Sequence, residues 1–305
     1  MISQAFGKIT VSRIGKGISV MESKVQTQVI TQKLLRQFAA YLRDQEKSCS
    51  TIAQYNRGLA ALHRFLQGAP VTKHALIAWK EHLMRHYAAA SVNAMLAAVN
   101  GFLSFCGWSD CRVKPLKIQR ELFCREEQEL SREEYLRLVR AAVQSGNERL
   151  SLVLQTICST GIRVSELLFI TAEAVRGGRA VVRCKGKTRY ILLPERLRRA
   201  LSAYLAKQKR AAGPVFITRT GKPLDRSNIW RDMKALCKRA GVKAGKVFPH
   251  NLRHLFARTF YSLEKDLSRL ADILGHTNVA TTRIYTVESG AAHRRQMERM
   301  GLVIT

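Results

Sequence analysis

Apolar residues spaced three and four apart run through residues 28–107, and this constrains the chain more than any other feature. Leu34, Phe38 and Leu42 recur at spacing four. Ile52, Tyr55, Leu59, Leu62 and Leu66 follow behind two serines, Ser48 and Ser50, either of which can cap a helix. Leu76, Trp79 and Leu83 form a third stripe, and Val92, Met95, Val99 and Leu103 a fourth. Each stripe fits one face of an amphipathic helix. Four such helices within about 80 residues can bury their stripes only against one another, as a small bundle. Its polar faces carry Arg57, His63, Arg64, Lys73, Lys80 and Arg85, a set suited to meeting phosphates.

The pattern breaks at Cys106-Gly107-Trp108. Residues 109–129 hold Pro115, many charges and little periodicity, and are expected to be an interdomain linker. The N-terminal residues 1–27, spotted with glycine and with β-branched residues, are expected to be an extension. Ser131 and Glu134 form the S-x-x-E pattern of a capping box, which opens a new helix and a second domain from about residue 130. Residues 147–159 are helical in pattern. Residues 179–193 differ: Ala180-Val181-Val182 and Tyr190-Ile191-Leu192-Leu193 flank Cys184-Lys185-Gly186-Lys187, which reads as a β-hairpin with a basic turn. Pro194 then starts a helix with Leu197, Leu201 and Leu205 on one face, and further helices are expected at 227–240, 249–262 and 266–274. The fold class is therefore mainly α with a small sheet.

Charge narrows the function. With 52 Lys+Arg against 22 Asp+Glu, the chain carries a formal net charge of +30. Such a charge repels itself in the folded state and attracts polyanions. The basic residues are spread along the chain and are densest at 183–210, whereas membrane-surface binders concentrate charge beside an amphipathic or lipidated end. Nucleic acid is the expected partner. With 46% apolar residues the chain is not a disordered basic tail. It has no run of about 18 apolar residues to span a membrane. Its first residues lack the apolar core and cleavage site of a secretory signal, so the cytoplasm, in association with the nucleoid, is the expected compartment. The seven cysteines are irregularly spaced with no C-x-x-C, which points to reduced thiols rather than zinc or disulfides.

Three segments carry chemistry in a fixed order. They are Thr160-Gly161-Ile162-Arg163-Val164-Ser165-Glu166-Leu167, then His250-Asn251-Leu252-Arg253-His254, then Leu274-Gly275-His276 followed by Thr281-Thr282-Arg283-Ile284-Tyr285. Together with the Lys185 hairpin they resemble the motifs of the tyrosine recombinase, or phage integrase, family: T-G-x-R-x-S-E-L, H-x-L-R-H, and L-G-H followed by T-T-x-x-Y. The chain is also similar in size to the Xer-type recombinases. The resemblance covers residues 28–305, through motifs in the second domain and through helical pattern alone in 28–107. It implies a four-helix core-binding, SAM-like bundle ahead of an α-rich catalytic domain.

The resemblance also implies a catalytic set: Arg163, Lys185, His250, Arg253, His276 and Tyr285, with Glu166 in support. The chemistry suits these residue types. Exchanging DNA strands means breaking a phosphodiester without losing its bond energy, and a covalent protein–phosphate intermediate achieves that. Tyr285 is the expected nucleophile, giving a 3′-phosphotyrosine and a free 5′-hydroxyl, as in type IB topoisomerases. Charge develops on the non-bridging oxygens, which two planar guanidiniums, Arg163 and Arg253, can clamp. The leaving oxygen needs a proton from Lys185 or, since the turn is one residue shorter than in many relatives, from Lys187. His250 would accept the tyrosine proton or hold the phosphate, and His276 would donate to a phosphate oxygen. His254 reads equally well as a structural histidine. Lys265 stands where many relatives have glycine. No cofactor, neither metal nor ATP, is expected.

The expected partners are double-stranded DNA at paired recombination sites and further protomers in a synaptic tetramer. These are reached through a C-terminal tail from about residue 286, with docking in trans favoured over cis. Arg57, Arg64, Lys80, Lys187 and Arg189 are the expected DNA contacts. The biological outcome expected is integration or excision of a mobile element. The alternatives are chromosome-dimer resolution, DNA inversion, or a DNA-binding relative without cleavage activity.

Overall fold

The computed structural model describes residues 28–118, 126–184, 187–285, 294 and 297–302, without the side chains of residues 126, 184 and 187. The chain divides into two units, Met1–Arg120 and Glu121–Thr305.

In the first unit the four stripes form helices α1 (Gln32–Asp44), α2 (Cys49–Leu66), α3 (Lys73–His86) and α4 (Ala89–Phe105). Side-chain oxygens of Thr31, Ser48 and Thr72 accept the backbone N–H groups of Leu34, Thr51 and Ala75, so three of these helices start at a satisfied cap. Ser48 is thus the cap of α2, and Ser50 lies inside the helix with its hydroxyl 2.9 Å from that of Ser48. Phe38, Leu59, Leu62, Leu76, Trp79, Leu96 and Phe102 are each at most 1% exposed and make the core. Burial of each such side chain contributes about 1.5–3 kcal/mol. Gly58 lets α2 lie close on α4, since a Cβ there would come within 3.3 Å of the Ala98 Cβ.

The segment expected to be a linker behaves differently in its first part. A 3₁₀ turn at Ser109–Cys111 is followed by extended chain that lies on the bundle, with Cys111 and Val113 buried. Two asparagines of α4, seven residues apart, hold it through peptide-like amide pairs. Asn100 donates to the Val113 carbonyl at 2.8 Å and accepts its N–H at 3.1 Å. Asn93 does the same for Leu116 at 2.9 and 2.7 Å. Lys80 donates to the Lys114 carbonyl at 2.8 Å, and Lys73 to that of Arg112. Low periodicity reads as linker in a sequence, but here the segment's backbone polar groups are satisfied by helix side chains.

The second unit begins with α5 (Arg132–Gln144), behind the expected Ser131/Glu134 capping box, and α6 (Glu148–Thr160). After a 3₁₀ turn at Val164–Phe169 come α7 (Ala172–Arg176), strands β1 (Arg179–Cys184) and β2 (Lys187–Leu192), α8 (Glu195–Lys207), α9 (Arg226–Ala240), α10 (Pro249–Glu264) and α11 (Leu267–Leu274). A last 3₁₀ turn covers Val279–Tyr285. The strands pair antiparallel from Arg179↔Leu192 to Cys184↔Lys187. Ala180, Val182 and Ile191 face the core, while Val181, Tyr190 and Leu192 are exposed. The core joins α5, α6, α8 and α9 through Leu138, Val153, Ile157, Leu201 and Met233. Among the described residues no helix is long and apolar enough to cross a membrane, and Cys49, Cys106, Cys111, Cys158 and Cys237 carry free thiols.

Glycine closes two helices of this unit. Helix α6 stops at Gly161 (φ 65°) and α11 at Gly275 (φ 65°), both in the left-handed region where glycine carries no Cβ penalty. A Cβ on Gly161 would also fall 2.5 Å from Phe256 Cδ1. Gly161→Ala should therefore lose about 2–4 kcal/mol, combining left-handed strain with overpacking. A urea midpoint unchanged from the wild type would refute this. Lys265 also sits in that region at φ 54°, the C-cap of α10, so this turn accommodates a side chain.

Candidate active site

The site is assembled from chain ends rather than from element middles. Helix α6 ends at Gly161, and the next turn of chain presents Arg163. Pro249 occupies the first turn of α10, which fixes its entry and places His250, Arg253 and His254 on the helix's first turns. Helix α11 closes in a Schellman arrangement, with the His276 N–H donating to the Ala271 carbonyl at 2.9 Å, so His276 leaves the helix at a defined angle. The 3₁₀ turn after it ends at Tyr285.

Arg253 ties these ends together. It is only 2% exposed, and its guanidinium donates to the Gly161 carbonyl, to the Leu274 carbonyl at 2.7 Å and to His276 Nε2 at 3.1 Å. Arg163 donates to the Gly275 carbonyl at 3.3 Å, and Arg189 to that of Ile273 at 2.9 Å. The carbonyl ends of two helices thus converge on three guanidiniums. Those ends carry the negative pole of the helix dipole, which partly offsets the cost of gathering cations. Glu166, 7% exposed at its side chain, supplies a formal negative charge bonded directly to two of the guanidiniums. It accepts from the Arg163 backbone N–H at 3.0 Å, from the Arg163 guanidinium at 3.0 Å and from Arg189. Burial works to raise the Glu166 pKa, but these donors outweigh it and hold the carboxyl below its usual range. Burial, joined by Arg163, pulls the Arg253 pKa down to about 10. A cavity of about 620 Å³ opens beside Arg163, Glu166, Arg189 and His276.

The partners of His276 fix its state. A guanidinium only donates, so His276 Nε2 accepts from Arg253 and its Nδ1 carries the proton donated to Thr282 Oγ1 at 2.9 Å. His276 is therefore neutral and oriented by a fully buried threonine. Desolvation, then the Arg253 and Arg163 charges, lower its pKa to about 4. His250 is lowered to about 4 by desolvation, then by His254 and Arg253. His254 packs 4.5 Å from the His250 ring and bonds Glu129 at 3.3 Å through Nδ1. Burial opposes the ionisation of Glu129, yet His254 and Arg258 lower its pKa. The Tyr285 ring, 4% exposed, lies edge-on to His254 at 5.0 Å and stacked 6.2 Å from His276. Its phenol faces the Arg253 guanidinium.

These states give a pH prediction. A histidine with a folded pKa near 4 and an unfolded value near 6.5 takes up a proton on unfolding between those pH values, so stability falls as pH drops through that window. DNA-free protein should melt several degrees lower at pH 4.5 than at pH 7, and His276→Asn should flatten that slope. A melting temperature independent of pH would show that His276 is not held neutral.

The structure therefore brings together Arg163, His250, Arg253, His276, Tyr285 and Glu166. Lys185 lies outside the described residues, as do the Lys187 side chain, residues 1–27 and residues 286–293 of the tail. Arg57 and Arg64 are exposed on α2, as a DNA contact requires. Two residues expected at the DNA surface have partners within the protein. Lys80 binds the Lys114 carbonyl. Arg189, 15% exposed at its side chain, turns inward onto Glu166. Sequence reading missed Glu129, which carries no motif signal, and the role of Thr282, which stands inside the T-T-x-x-Y motif.

Known proteins share both units. Residues 128–291 match the phage integrase family, and residues 35–109 match the phage integrase N-terminal SAM-like domain. The chain is 29% identical to tyrosine recombinase XerA of Thermococcus kodakarensis, over 89% of this chain and 96% of that protein. It is 30% identical to tyrosine recombinase XerC of Roseiflexus castenholzii, over 82% of this chain and 87% of that one. Among solved structures it shares the fold of a lambda integrase (75–356) dimer bound to a COC′ core site. The TM-score there is 0.70 at 18% identity, over 86% of this chain and 97% of that one.

Proposed function

This chain belongs to the phage integrase family and is a tyrosine recombinase, a site-specific enzyme of DNA recombination, and from that we propose the roles of its residues and its reaction. The observation that carries the proposal is the convergence of Arg163, Arg253, His276 and Tyr285 within one set of helix ends.

The substrate is double-stranded DNA, which the +30 charge favours; the lambda integrase fragment of the same fold is bound to a core site. Phosphate contacts give most of the affinity, which falls steeply with salt. Arg57 and Arg64 are contacts of this kind. Tyr285 attacks the scissile phosphorus, forming a 3′-phosphotyrosine as the bond to the 5′-oxygen breaks. Arg163 and Arg253 take the charge on the non-bridging oxygens, a role that divalent metals fill in many phosphoryl-transfer enzymes. The reaction thus needs neither metal nor ATP. His250 accepts the tyrosine proton or holds the phosphate, and Lys185 (or Lys187) protonates the leaving oxygen. His276 acts second. A phosphate arriving beside it draws off Arg253 and raises the His276 pKa, so that Nε2 takes up a proton from solvent and can then donate it to the phosphate.

Two protomers on each of two sites make the synaptic assembly, with the tail from about residue 286 docking on a neighbour. Integration or excision of a mobile element is the biological outcome we favour, on the basic N-terminal residues Lys8, Arg13, Lys16 and Lys24. Chromosome-dimer resolution is the second reading, favoured by near full-length similarity to Xer recombinases.

The test uses labelled DNA from the flanks of the gene, nicked beside the cleavage position, with EDTA present. Wild-type protein should form an adduct that survives a denaturing gel, joined at the 3′ side. Specific binding without an adduct, or an adduct that needs Mg²⁺, would overturn the mechanism. Recombination between those flanking sites on a plasmid would support the mobile-element reading. Recombination only at a chromosomal site would support dimer resolution.

A further inference from the structure

We propose that Arg189 is a positioning residue for strand cleavage: it shares the Glu166 carboxylate so that Arg163 keeps its charge for the phosphate. The inference rests on the reading of Arg163 as a phosphate ligand.

Glu166 has two guanidinium partners with different surroundings. Both border the cavity, but Arg163 is 39% exposed at its side chain and Arg189 only 15%. The carboxylate oxygens divide between them: Oε1 takes the Arg163 guanidinium, and Oε2 takes Arg189 and the Arg163 backbone N–H. The three side chains carry +1 in total. Without Arg189 the remaining pair carries zero, and an ion pair closed on itself offers an incoming phosphate far less than an open guanidinium. Inside a poorly solvated site the charges are weakly screened, so this difference reaches the phosphate.

Arg189 also fixes geometry. It comes from β2, the strand leading away from the basic hairpin turn, and donates to the Ile273 carbonyl at the end of α11. Its stem crosses Gly275 so closely that a Cβ there would lie 2.6 Å from Arg189 Cδ. Gly275 is therefore needed for the approach of Arg189 as well as for its left-handed turn. One side chain joins the hairpin strand, the carboxylate beside Arg163 and the helix end that delivers His276.

The experiment measures the single-turnover rate of adduct formation at saturating DNA, together with DNA affinity and melting temperature, on the full chain. Arg189→Met should slow cleavage about 10²-fold, the scale of losing one preorganised donor. DNA affinity should change less than about threefold, since the side chain faces inward. Removing the excess charge as well, in Glu166→Gln/Arg189→Met, should recover about tenfold over Arg189→Met, because net +1 returns beside the phosphate. Arg189→Lys, which keeps the charge, covers the case in which Arg189→Met does not fold, and should retain more than a tenth of the wild-type rate.

Weaker DNA binding with an unchanged saturated rate would make Arg189 a DNA contact and overturn the proposal. So would a double variant no faster than Arg189→Met, or a lysine variant as slow as the methionine variant. Arg163→Ala is the control for the underlying reading. If it cleaves at the wild-type rate, the phosphate assignment itself fails; if only Arg189→Met is without effect, this inference alone fails.

Discussion

Tyr285→Phe should form no covalent adduct with DNA that it binds as tightly as the wild type. The phenol oxygen is the only atom removed, and in this mechanism it is the atom that joins phosphorus. The ring's environment stays filled, because Tyr285 packs against Ala257, Leu270 and Leu274 and lies between the His254 and His276 rings. The helix ends around Arg253 therefore keep their arrangement, and the melting temperature should move little. The rate loss should exceed about 10⁴-fold, since the attacking oxygen itself is gone. The measurement is adduct yield by denaturing gel, beside DNA affinity by titration. An adduct that persists in the phenylalanine variant would mean that another side chain attacks. Loss of binding along with the adduct would mean that the phenol serves recognition instead.

Arg253 should show the largest combined effect on stability and rate. Its guanidinium satisfies the Gly161 and Leu274 carbonyls and orients His276, all from a buried position. Arg253→Ala orphans two buried acceptors at about 1–3 kcal/mol each, so a total loss of about 2–6 kcal/mol is expected. Arg253→Lys keeps a charge in place but offers one ammonium where a planar fork served two helix ends. It should fold with a smaller loss and cleave about 10²–10³-fold more slowly, having lost the two-pronged hold on the phosphate. Denaturant unfolding and single-turnover cleavage, measured on both variants, separate the two contributions. A lysine variant cleaving at the wild-type rate would show that charge alone suffices and that the fork has no role in the transition state.

Most of the helical architecture was legible in the sequence, and so was the order of the reacting motifs. The reason is locality. An apolar stripe at 3-4 spacing records one helix face, and a cap needs partners only two or three residues away. Ser48 at α2, the Ser131/Glu134 box and Gly275 at the end of α11 all fall in this class. The T-G-x-R, H-x-L-R-H and L-G-H segments were readable because each is a short run that makes one chain end.

The tertiary structure decided where the long polar side chains go. A basic residue in a sequence looks the same whether it faces DNA or a carboxylate. Arg189 meets Glu166, 23 residues earlier, and Ile273, 84 residues later, and only the folded chain brings those acceptors to it. Lys80 finds the Lys114 carbonyl, and Asn93 and Asn100 pair with a stretch whose lack of periodicity reads as linker. The His276 tautomer likewise depends on Arg253 and Thr282, which approach from different elements. Residue identity sets what each side chain can donate or accept; the packing of distant helix ends sets which partner it meets, because a buried polar group must take one.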